Sequence, residues 1–186
     1  MKVLIACEES QTVCKAFRAK GHEAYSCDIL DCSGGRPEWH IKGDALDVMK
    51  LLPWDFIGLH CPCTYTALCG NRWYWDSPLR IQGVHFTKTM FETAKAVCSK
   101  VYLEQPKTIM QKYIGKRSQV IHPYEYGHGE TKETWLWLQG LPALQPTNIV
   151  PGREQRIFKM PPSEDRGKLR SKTLQGIADA MAVQWG

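Results

Sequence analysis

Residues 2–28, KVLIACEESQTVCKAFRAKGHEAYSCD, decide the fold class of this chain. The apolar run over residues 2–7 has the length and composition of a buried strand. Residues 9–20 follow with apolar side chains at helical spacing, and Gly21 stands where helices commonly end. Residues 23–28 then read as a second strand. This order predicts a βαβ unit, in which two parallel strands are joined by a right-handed crossover.

The rest of the chain continues the alternation of strands and helices. Further elements are predicted as strands over 55–60 and 101–106 and as helices over 78–98 and about 172–185. Five residues of the longer helix are expected on its inner side: Ile81, Val84, Phe91, Ala94 and Cys98. A Pro-, Arg- and Lys-rich stretch over about 142–170 is predicted to be irregular. Together these elements predict an α/β fold with a mostly parallel sheet and helices on both faces.

Length and composition limit the classes of protein that the chain can belong to. A chain of 186 residues fits a single domain spanning residues 1–186. The hydrophobic share of 43% and the charged share of 23% are ordinary for a globular protein and exclude a disordered tail. No apolar run approaches the roughly 20 residues that span a bilayer. Eight cysteines with no CxxC pair predict reduced thiols in the cytoplasm, with no membrane partner.

Charge is distributed unevenly along the chain, whose formal net charge is +5. Residues 1–60 carry seven Lys and Arg against nine Asp and Glu, whereas residues 151–172 carry seven against three. The basic segment is either an ordinary solvated surface or a surface that faces phosphate groups.

Ligands of open α/β sheets collect outside the carboxyl ends of the strands. Four places in the sequence follow a predicted strand: Cys7 to Ser10, Asp28, His60 to Thr66, and Glu104 to Pro106. We therefore expect these four places to share one rim of the sheet, where a site would form.

Cys63 and Glu104 are the strongest candidates for chemistry at that rim. Cys63 follows Pro62 just past a strand end, where a thiolate would be the reactive form; the alternative is a small apolar side chain. Glu104 ends an otherwise apolar strand, and a carboxylate there is costly unless it is paired or used. Partial burial would raise its pKa and let it donate a proton; the alternative is a helix cap or an ion pair.

Other motifs point to ligand binding with less specificity. Asp28 and Asp44 follow strand-like or loop segments, and an acid at the end of the second strand of a βαβ unit commonly binds a ribose. Both also fit solvated turns, and no G-x-G-x-x-G is present. Arg72 and Trp73 lie in NRWYW, a composition typical of base-stacking platforms and of cores. The spacing of His60, Cys61, Cys63 and Cys69 fits no structural zinc pattern, so no metal is predicted.

A Pro-Cys after one strand, followed downstream by a strand that ends in Glu, resembles the C5-cytosine DNA methyltransferases. The chain is most similar to the short, phage-type proteins described as DNA cytosine methyltransferases. The matching stretches run nearly end to end: VLIACEES, GHEAYSCDI, PEWHIKGDAL, HCPCTYTALCGNRWY, LEQPKTIM, HPYEYGHGETKETWLWLQGLP and RSKTLQGIADAMAVQWG. The resemblance implies a Rossmann-like methyltransferase fold and S-adenosyl-L-methionine as the methyl donor.

The resemblance also implies roles for individual residues. Cys63 matches the family's nucleophile and Glu104 the glutamate of its Glu-Asn motif, although Gln105 replaces the asparagine. Asp28 matches the ribose-binding acid and Asp44 the Gly-Asp motif beside the adenine. The CEES segment takes the place of the glycine-rich loop. The full set of residues expected at the cofactor is Cys7, Glu8, Ser10, Asp28, Asp44 and Pro62.

The activity that follows from this resemblance is methyl transfer to carbon 5 of cytosine in DNA through a covalent cysteine adduct, in the cytoplasm of a bacterium or a phage-infected host cell. The candidates for holding the nucleic acid are Arg72, Trp73, Arg153, Arg156, Lys168 and Arg170. No separate target-recognition domain fits in the chain. A methyltransferase acting on RNA or free pyrimidine nucleotides, a non-catalytic nucleic-acid-binding protein and a zinc-dependent enzyme are the alternatives, and the oligomeric state stays open.

Overall fold

The computed structural model of the protein describes residues 1–186 and contains one seven-stranded sheet with helices on both faces. The strands are β1 Lys2–Ala6, β2 Glu23–Asp28, β3 His40–Lys42, β4 Phe56–Leu59, β5 Val101–Pro106, β6 Gln119–Ile121 and β7 Thr134–Gln139. The helices are α1 Thr12–Ala19, α2 Ala45–Leu51, α3 Asn71–Tyr74, α4 Pro78–Val97, α5 Gln111–Ile114, α6 Arg156–Lys159, α7 Arg166–Ser171 and α8 Gln175–Gln184.

The strand order is β3-β2-β1-β4-β5-β7-β6, and the sheet is mixed. Strands β1 to β5 pair in parallel with one another, whereas β7 is antiparallel to both β5 and β6. The prediction of an α/β fold with helices on both faces is confirmed, but the sheet is mixed rather than mostly parallel. The reason is that no helix crosses between β6 and β7, so β7 returns beside β6 in the opposite direction.

Strand β7 was not predicted, although its sequence TWLWLQ contains a usable signal. Aromatic and β-branched residues are enriched in strands, and four consecutive residues of β7, from Thr134 to Trp137, are buried. A strand buried on both faces reads as a continuous apolar run rather than an alternating one. The short edge strands β3 and β6 have only three residues each and carry no comparable signal.

Successive residues of the central strands point to opposite faces and feed two separate cores. One core takes Leu4 and Leu103 from the sheet and packs them under α2 and α4. The other takes Ile5 and Tyr102 and packs them under α1 and α8. Burial of the sheet on both faces explains why β1 and β4 consist almost entirely of apolar residues.

Helix α4 agrees closely with the helix predicted over 78–98. Ser77 caps its first turn by accepting a hydrogen bond from the Leu79 amide, and Pro78 occupies a position that needs no amide donor. One expectation for its inner side is wrong, because Ile81 is 75% exposed. The buried stripe instead begins at Arg80, one residue earlier and therefore about 100° around the helix.

The C-terminal part of the chain is more regular than expected. The segment predicted to be irregular over about 142–170 contains α6 and most of α7. The helix predicted over about 172–185 is α8, which packs against α1. None of the helices is long and apolar enough to cross a bilayer.

Candidate functional site

Four parallel strands end at the same edge of the sheet and define the candidate site. From β1 the chain runs to β2 and β3 on one side, and it then crosses to β4 and β5 on the other. A crevice forms at such a reversal, outside the carboxyl ends of β1 and β4. The segments after β1, β2, β4 and β5, which the sequence pointed to as ligand-binding, all begin at this edge.

His60, the residue after β4, lies beside Glu104 in the C-terminal half of β5. Leu59 is paired with Leu103, so the next residue of each strand faces the other. The Nδ1 atom of His60 is 3.8 Å from a carboxylate oxygen of Glu104. Burial lowers the pKa of His60, and the Glu104 charge only partly opposes this shift. A neutral imidazole therefore borders the carboxylate at neutral pH.

Tyr102 and Thr173 hold the imidazole ring from two further elements. The other ring nitrogen of His60, Nε2, is 2.6 Å from the Tyr102 hydroxyl, and Thr173 Oγ1 is 3.4 Å from Nδ1. Gly58 makes room for this arrangement, because a Cβ atom there would overlap the Tyr102 ring. The His60 ring is therefore held by β5 and by Thr173, which lies two residues before the start of α8.

Cys63 is half-buried in the turn that follows β4. Burial raises the pKa of its thiol to about 11, with a further contribution from the Glu104 carboxylate, whereas Lys132 lowers it. Glu104 lies in β5, the strand next to β4, and Lys132 donates a hydrogen bond to the Arg170 carbonyl. The thiol thus faces the opposing influences of a carboxylate and an ammonium group. In the free protein the thiol keeps its proton at neutral pH.

Gln105 fastens the Cys63 turn to β5. Its side-chain amide donates to the Cys61 carbonyl at 2.7 Å and accepts from the Thr66 hydroxyl at 3.4 Å. Thr108 adds a hydrogen bond of 2.8 Å to the Thr66 carbonyl. Gln105 is fully buried, so its role is to position the turn. A shorter asparagine at this place would have to span the same gap with one methylene fewer.

The loop after β1 is built around a buried carboxylate instead of glycines. Glu8 accepts hydrogen bonds from the amides of Val13 at 2.6 Å and Cys14 at 3.1 Å, at the start of α1. Burial raises the pKa of Glu8 to about 7, although these two bonds oppose the shift. The Glu8 side chain therefore points to the helix. Cys7 takes a left-handed conformation with φ 59°, which turns the chain sharply at the crevice.

The other residues expected at the cofactor surround the same crevice. A hydrogen bond with Cys61 and burial raise the pKa of Cys7, and the nearby carboxylates of Asp28 and Asp44 raise it further. Asp28 accepts from the Leu30 amide and remains half-exposed, whereas Asp44 caps α2 through the Leu46 amide. Ser10 bonds to Thr12, and Pro62 is exposed beside Cys63.

The residues expected to hold nucleic acid fall into two groups. Arg72 and Trp73 are exposed on α3, with the guanidinium 5.4 Å from the indole ring. In the basic segment, Arg153 bonds to the Val150 and Gly152 carbonyls, and Arg156 pairs with the buried Glu130 at 2.6 Å. These two arginines therefore stabilise their own loop.

Helix α7 lies closer to the crevice than the residues before it. Lys168 forms an ion pair of 3.7 Å with Glu9 in the loop after β1. The Arg170 carbonyl accepts a hydrogen bond from Lys132, and the buried Nε of Arg170 has no partner in the protein. The α7 end of the basic segment thus borders the site.

Sequence reasoning missed several residues of the site. His60 was placed at the rim of the sheet but given no role other than that of a possible zinc ligand, and Tyr102, Lys132 and Thr173 were not considered. Side chains two residues apart in a strand point to the same face of the sheet, so the position of Tyr102 beside Glu104 could have been predicted. Lys132 and Thr173 come from distant loops and carry no local signal.

No three His, Cys, Asp or Glu side chains are grouped so as to hold a metal ion.

Comparison with protein-family models finds none that matches the chain, and comparison with curated proteins finds no match.

Proposed function

We propose that the protein transfers a methyl group from S-adenosyl-L-methionine to carbon 5 of cytosine in DNA, through a covalent adduct on Cys63. One observation carries the proposal: Cys63 lies in the turn after β4, Glu104 lies in the neighbouring strand β5, and Gln105, the residue after Glu104, is bonded to the Cys61 carbonyl and the Thr66 hydroxyl on either side of Cys63. Cys63 and Glu104 match the two groups that addition to a pyrimidine requires, a nucleophile and an acid.

The strand order supports the proposed class of fold. The run β3-β2-β1-β4-β5 has the order of doubly wound nucleotide-binding sheets, with β7 inserted antiparallel beside it. The predicted Rossmann-like methyltransferase fold is one member of this class. Its cofactor crevice would be the one at the carboxyl ends of β1 and β4.

The residues around the crevice fit an adenosyl cofactor. Asp28 ends β2, where an acid accepts hydrogen bonds from ribose hydroxyls. The following residues, Ile29 and Leu30, are 73% and 58% exposed and offer an apolar surface to an adenine ring. Asp44 and the sharp turn at Cys7 border the same space. When bound, S-adenosyl-L-methionine supplies an electrophilic methyl group.

Cys63 and Glu104 activate the cytosine ring in the proposed mechanism. Cys63 Sγ forms a bond to carbon 6, and the electrons of the C5–C6 double bond shift toward the C4–N3 bond, where N3 takes a proton from the Glu104 carboxyl group. The thiol proton goes to the Glu104 carboxylate beforehand, so that the proton count balances. Carbon 5 becomes the electron-rich end of an enamine.

Release of the product restores the thiol. Once carbon 5 carries the methyl group, it loses its proton to solvent, and the C6–Sγ bond breaks as the C5–C6 double bond forms again. N3 returns its proton to the Glu104 carboxylate, which passes it to the departing Cys63 thiolate, so that the neutral product and the thiol are both restored. The departing thiolate of Cys63 is stabilised by Lys132, whose charge lowers the pKa of this thiol.

DNA contacts are proposed for the basic and aromatic groups near the crevice. Arg72 and Trp73 are exposed on the segment that follows Cys63, and Lys168 and Arg170 lie on α7 beside the first loop. A target base in duplex DNA must leave the stack, at a cost of a few kcal/mol. Single-stranded DNA, in which no base has to leave a duplex, is the better first substrate for an assay.

The test is methyl transfer from labelled S-adenosyl-L-methionine to DNA, RNA and free cytidine nucleotides in parallel. Cys63→Ala is expected to abolish transfer while cofactor affinity, measured by calorimetry, stays within about threefold, because this thiol acts on the base. Cys98→Ala is the matched control, since Cys98 lies at the opposite edge of the sheet, before β5. Transfer by Cys63→Ala at the wild-type rate would refute the proposal.

Glu104→Gln separates the acid from the nucleophile. The variant cannot donate a carboxyl proton, and its transfer rate is expected to fall by about 10²-fold or more. Glu92→Gln on the exposed side of α4 is the control and should transfer at the normal rate. A loss below threefold in Glu104→Gln would remove this residue from the mechanism.

A further inference from the structure

A buried arginine that lacks a full set of hydrogen-bond partners lines a second cleft, next to the turn that holds Cys63. Arg80, in the first turn of α4, is only 7% exposed. Its Nη2 atom donates to the Asn71 side chain, but its Nη1 atom has no hydrogen-bond partner in the protein. Buried polar groups are almost always satisfied, and leaving one unpaired is costly. The protein therefore leaves one edge of this guanidinium unsatisfied, in a residue that lines the cleft.

The cleft has the size and composition of a small-ligand site. Its volume is about 440 Å³, within the roughly 300–1,000 Å³ usual for such sites. The lining residues are Trp75, Asp76, Ser77, Arg80, Ile81, Val84, Ile109, Lys112 and Tyr113. Two cations and two partly exposed aromatic rings thus border one space. Trp75 is 68% exposed and Tyr113 is 50% exposed, more than a role in core packing requires.

The wall of the cleft is joined directly to the turn that holds Cys63. The Ile109 amide donates to the Thr66 carbonyl at 3.0 Å, and the Leu68 amide donates to the Lys107 carbonyl at 2.8 Å. A ligand in the cleft would consequently sit beside the segment that follows the nucleophile. The exposed Arg72 and Trp73 lie on the same segment.

We propose that this cleft binds a nucleotide next to the target cytosine, with its phosphate on Arg80 and Lys112 and its base against Trp75 and Tyr113. The inference rests on the proposed function, since it takes the ligand to be the same nucleic acid strand. Arginine forks match phosphate oxygens, and aromatic rings stack on bases of any sequence. Asp76 is placed to accept from the amino group of a base.

Single-stranded nucleic acid fits the cleft better than duplex. A base in a duplex is already stacked on its neighbours and cannot present its face to an aromatic side chain. The affinity that the cleft provides for a strand is expected to depend little on sequence.

The test measures binding of a fluorescently labelled 12-nucleotide single-stranded DNA by anisotropy. Arg80→Met is expected to weaken binding about tenfold or more, because a charged hydrogen bond to phosphate is lost. Tyr113→Leu is expected to weaken it roughly fivefold or more through lost stacking. Lys88→Gln, an exposed position elsewhere on α4, should bind as the wild type does. Deoxycytidine monophosphate should compete for the cleft and deoxycytidine should not.

Two exposed positions keep the test valid if Arg80→Met fails to fold. Lys112→Gln and Tyr113→Leu lie at the surface, and binding by both at the wild-type affinity would overturn the proposal. An acidic peptide that binds in an Arg80-dependent manner, when the oligonucleotide does not, would also overturn it.

Methyl transfer assays on the same variants separate this inference from the proposed function. If the wild type transfers no methyl group but the cleft variants bind the strand more weakly, the cleft proposal is supported and the methyltransferase proposal is rejected. If the wild type does transfer methyl groups and the cleft variants bind the strand normally, only the cleft proposal is rejected.

Discussion

Burial and the Glu104 carboxylate together act on the Cys63 thiol, and this coupling limits how the thiol can react. Burial and then the Glu104 charge raise the pKa of Cys63 to about 11, and Lys132 acts in the opposite direction. A protonated thiol is a poor nucleophile. The free protein therefore holds Cys63 in a protected form, and binding of a base between the two groups would have to change this balance.

The coupling predicts how the pH dependence of Cys63 alkylation changes in two variants. Glu104→Gln removes a negative charge that raises the thiol pKa, so the pKa should fall and modification by iodoacetamide at pH 8 should become faster. Lys132→Met removes a positive charge, so the pKa should rise and modification should slow. The rates are measured from pH 7 to 10 by mass spectrometry of the peptide that contains Cys63.

Glu92→Gln serves as the control for this experiment and should leave the Cys63 profile unchanged, because Glu92 lies on the exposed side of α4. Identical profiles for the wild type and Glu104→Gln would show that the two groups do not interact. This measurement needs neither cofactor nor substrate, so it tests the geometry of the site by itself.

Where β4 and β5 pair in the sheet, a glycine lies opposite a residue with a large aromatic ring. Gly58 and Tyr102 are neighbours in the sheet, and the ring lies where a Cβ at position 58 would be. The tyrosine hydroxyl can then reach His60 at 2.6 Å. A glycine in a strand often marks such a close approach.

Gly58→Ala is accordingly expected to lower the free energy of unfolding by about 1–3 kcal/mol, since the added methyl group overpacks a tight core. Urea denaturation followed by circular dichroism measures the change. Gly43→Ala is the control, because a Cβ at Gly43 meets nothing within 4 Å. Equal stability of the two variants would mean that the Tyr102 ring does not lie across Gly58.

Across the protein, the last turn of the chain completes the core beneath the site. The indole of Trp185 lies 5.3 Å from the Tyr102 ring and 6.3 Å from the Phe56 ring. Its Nε1 donates to the Pro142 carbonyl at 3.0 Å. Helix α8 thereby links the sheet, the 142–170 segment and Thr173, which contacts His60.

Trp185→Ala is expected to lower the free energy of unfolding by about 3–5 kcal/mol, the usual loss when a large aromatic side chain leaves a core. Val183→Ala, at a position that is 58% exposed, should change it by no more than about 0.5 kcal/mol. Thermal and urea unfolding of both variants provide the comparison. A small effect of Trp185→Ala would indicate that α8 does not seal this core.

Much of the fold was predictable because the signals are local. The boundaries of β2 and β5 agree with the predicted strands over 23–28 and 101–106, since each apolar run ends at a charged residue or a proline. The helical period likewise located α4 and α8. Asp28, His60, Cys63 and Glu104 were all noticed at strand ends, because parallel strands place their carboxyl ends at one edge.

The reversal of β7, the turn of Glu8 toward α1 and the arrival of Lys132 and Thr173 at the site follow only from the tertiary structure. Each of these features depends on contacts between segments far apart in the chain, and local periodicity contains no information about such contacts. The amino-acid order alone located β1, β2, β4 and β5 and the polar groups at their carboxyl ends. Long-range packing decided the direction of the last strand and which side chains surround the Cys63 thiol.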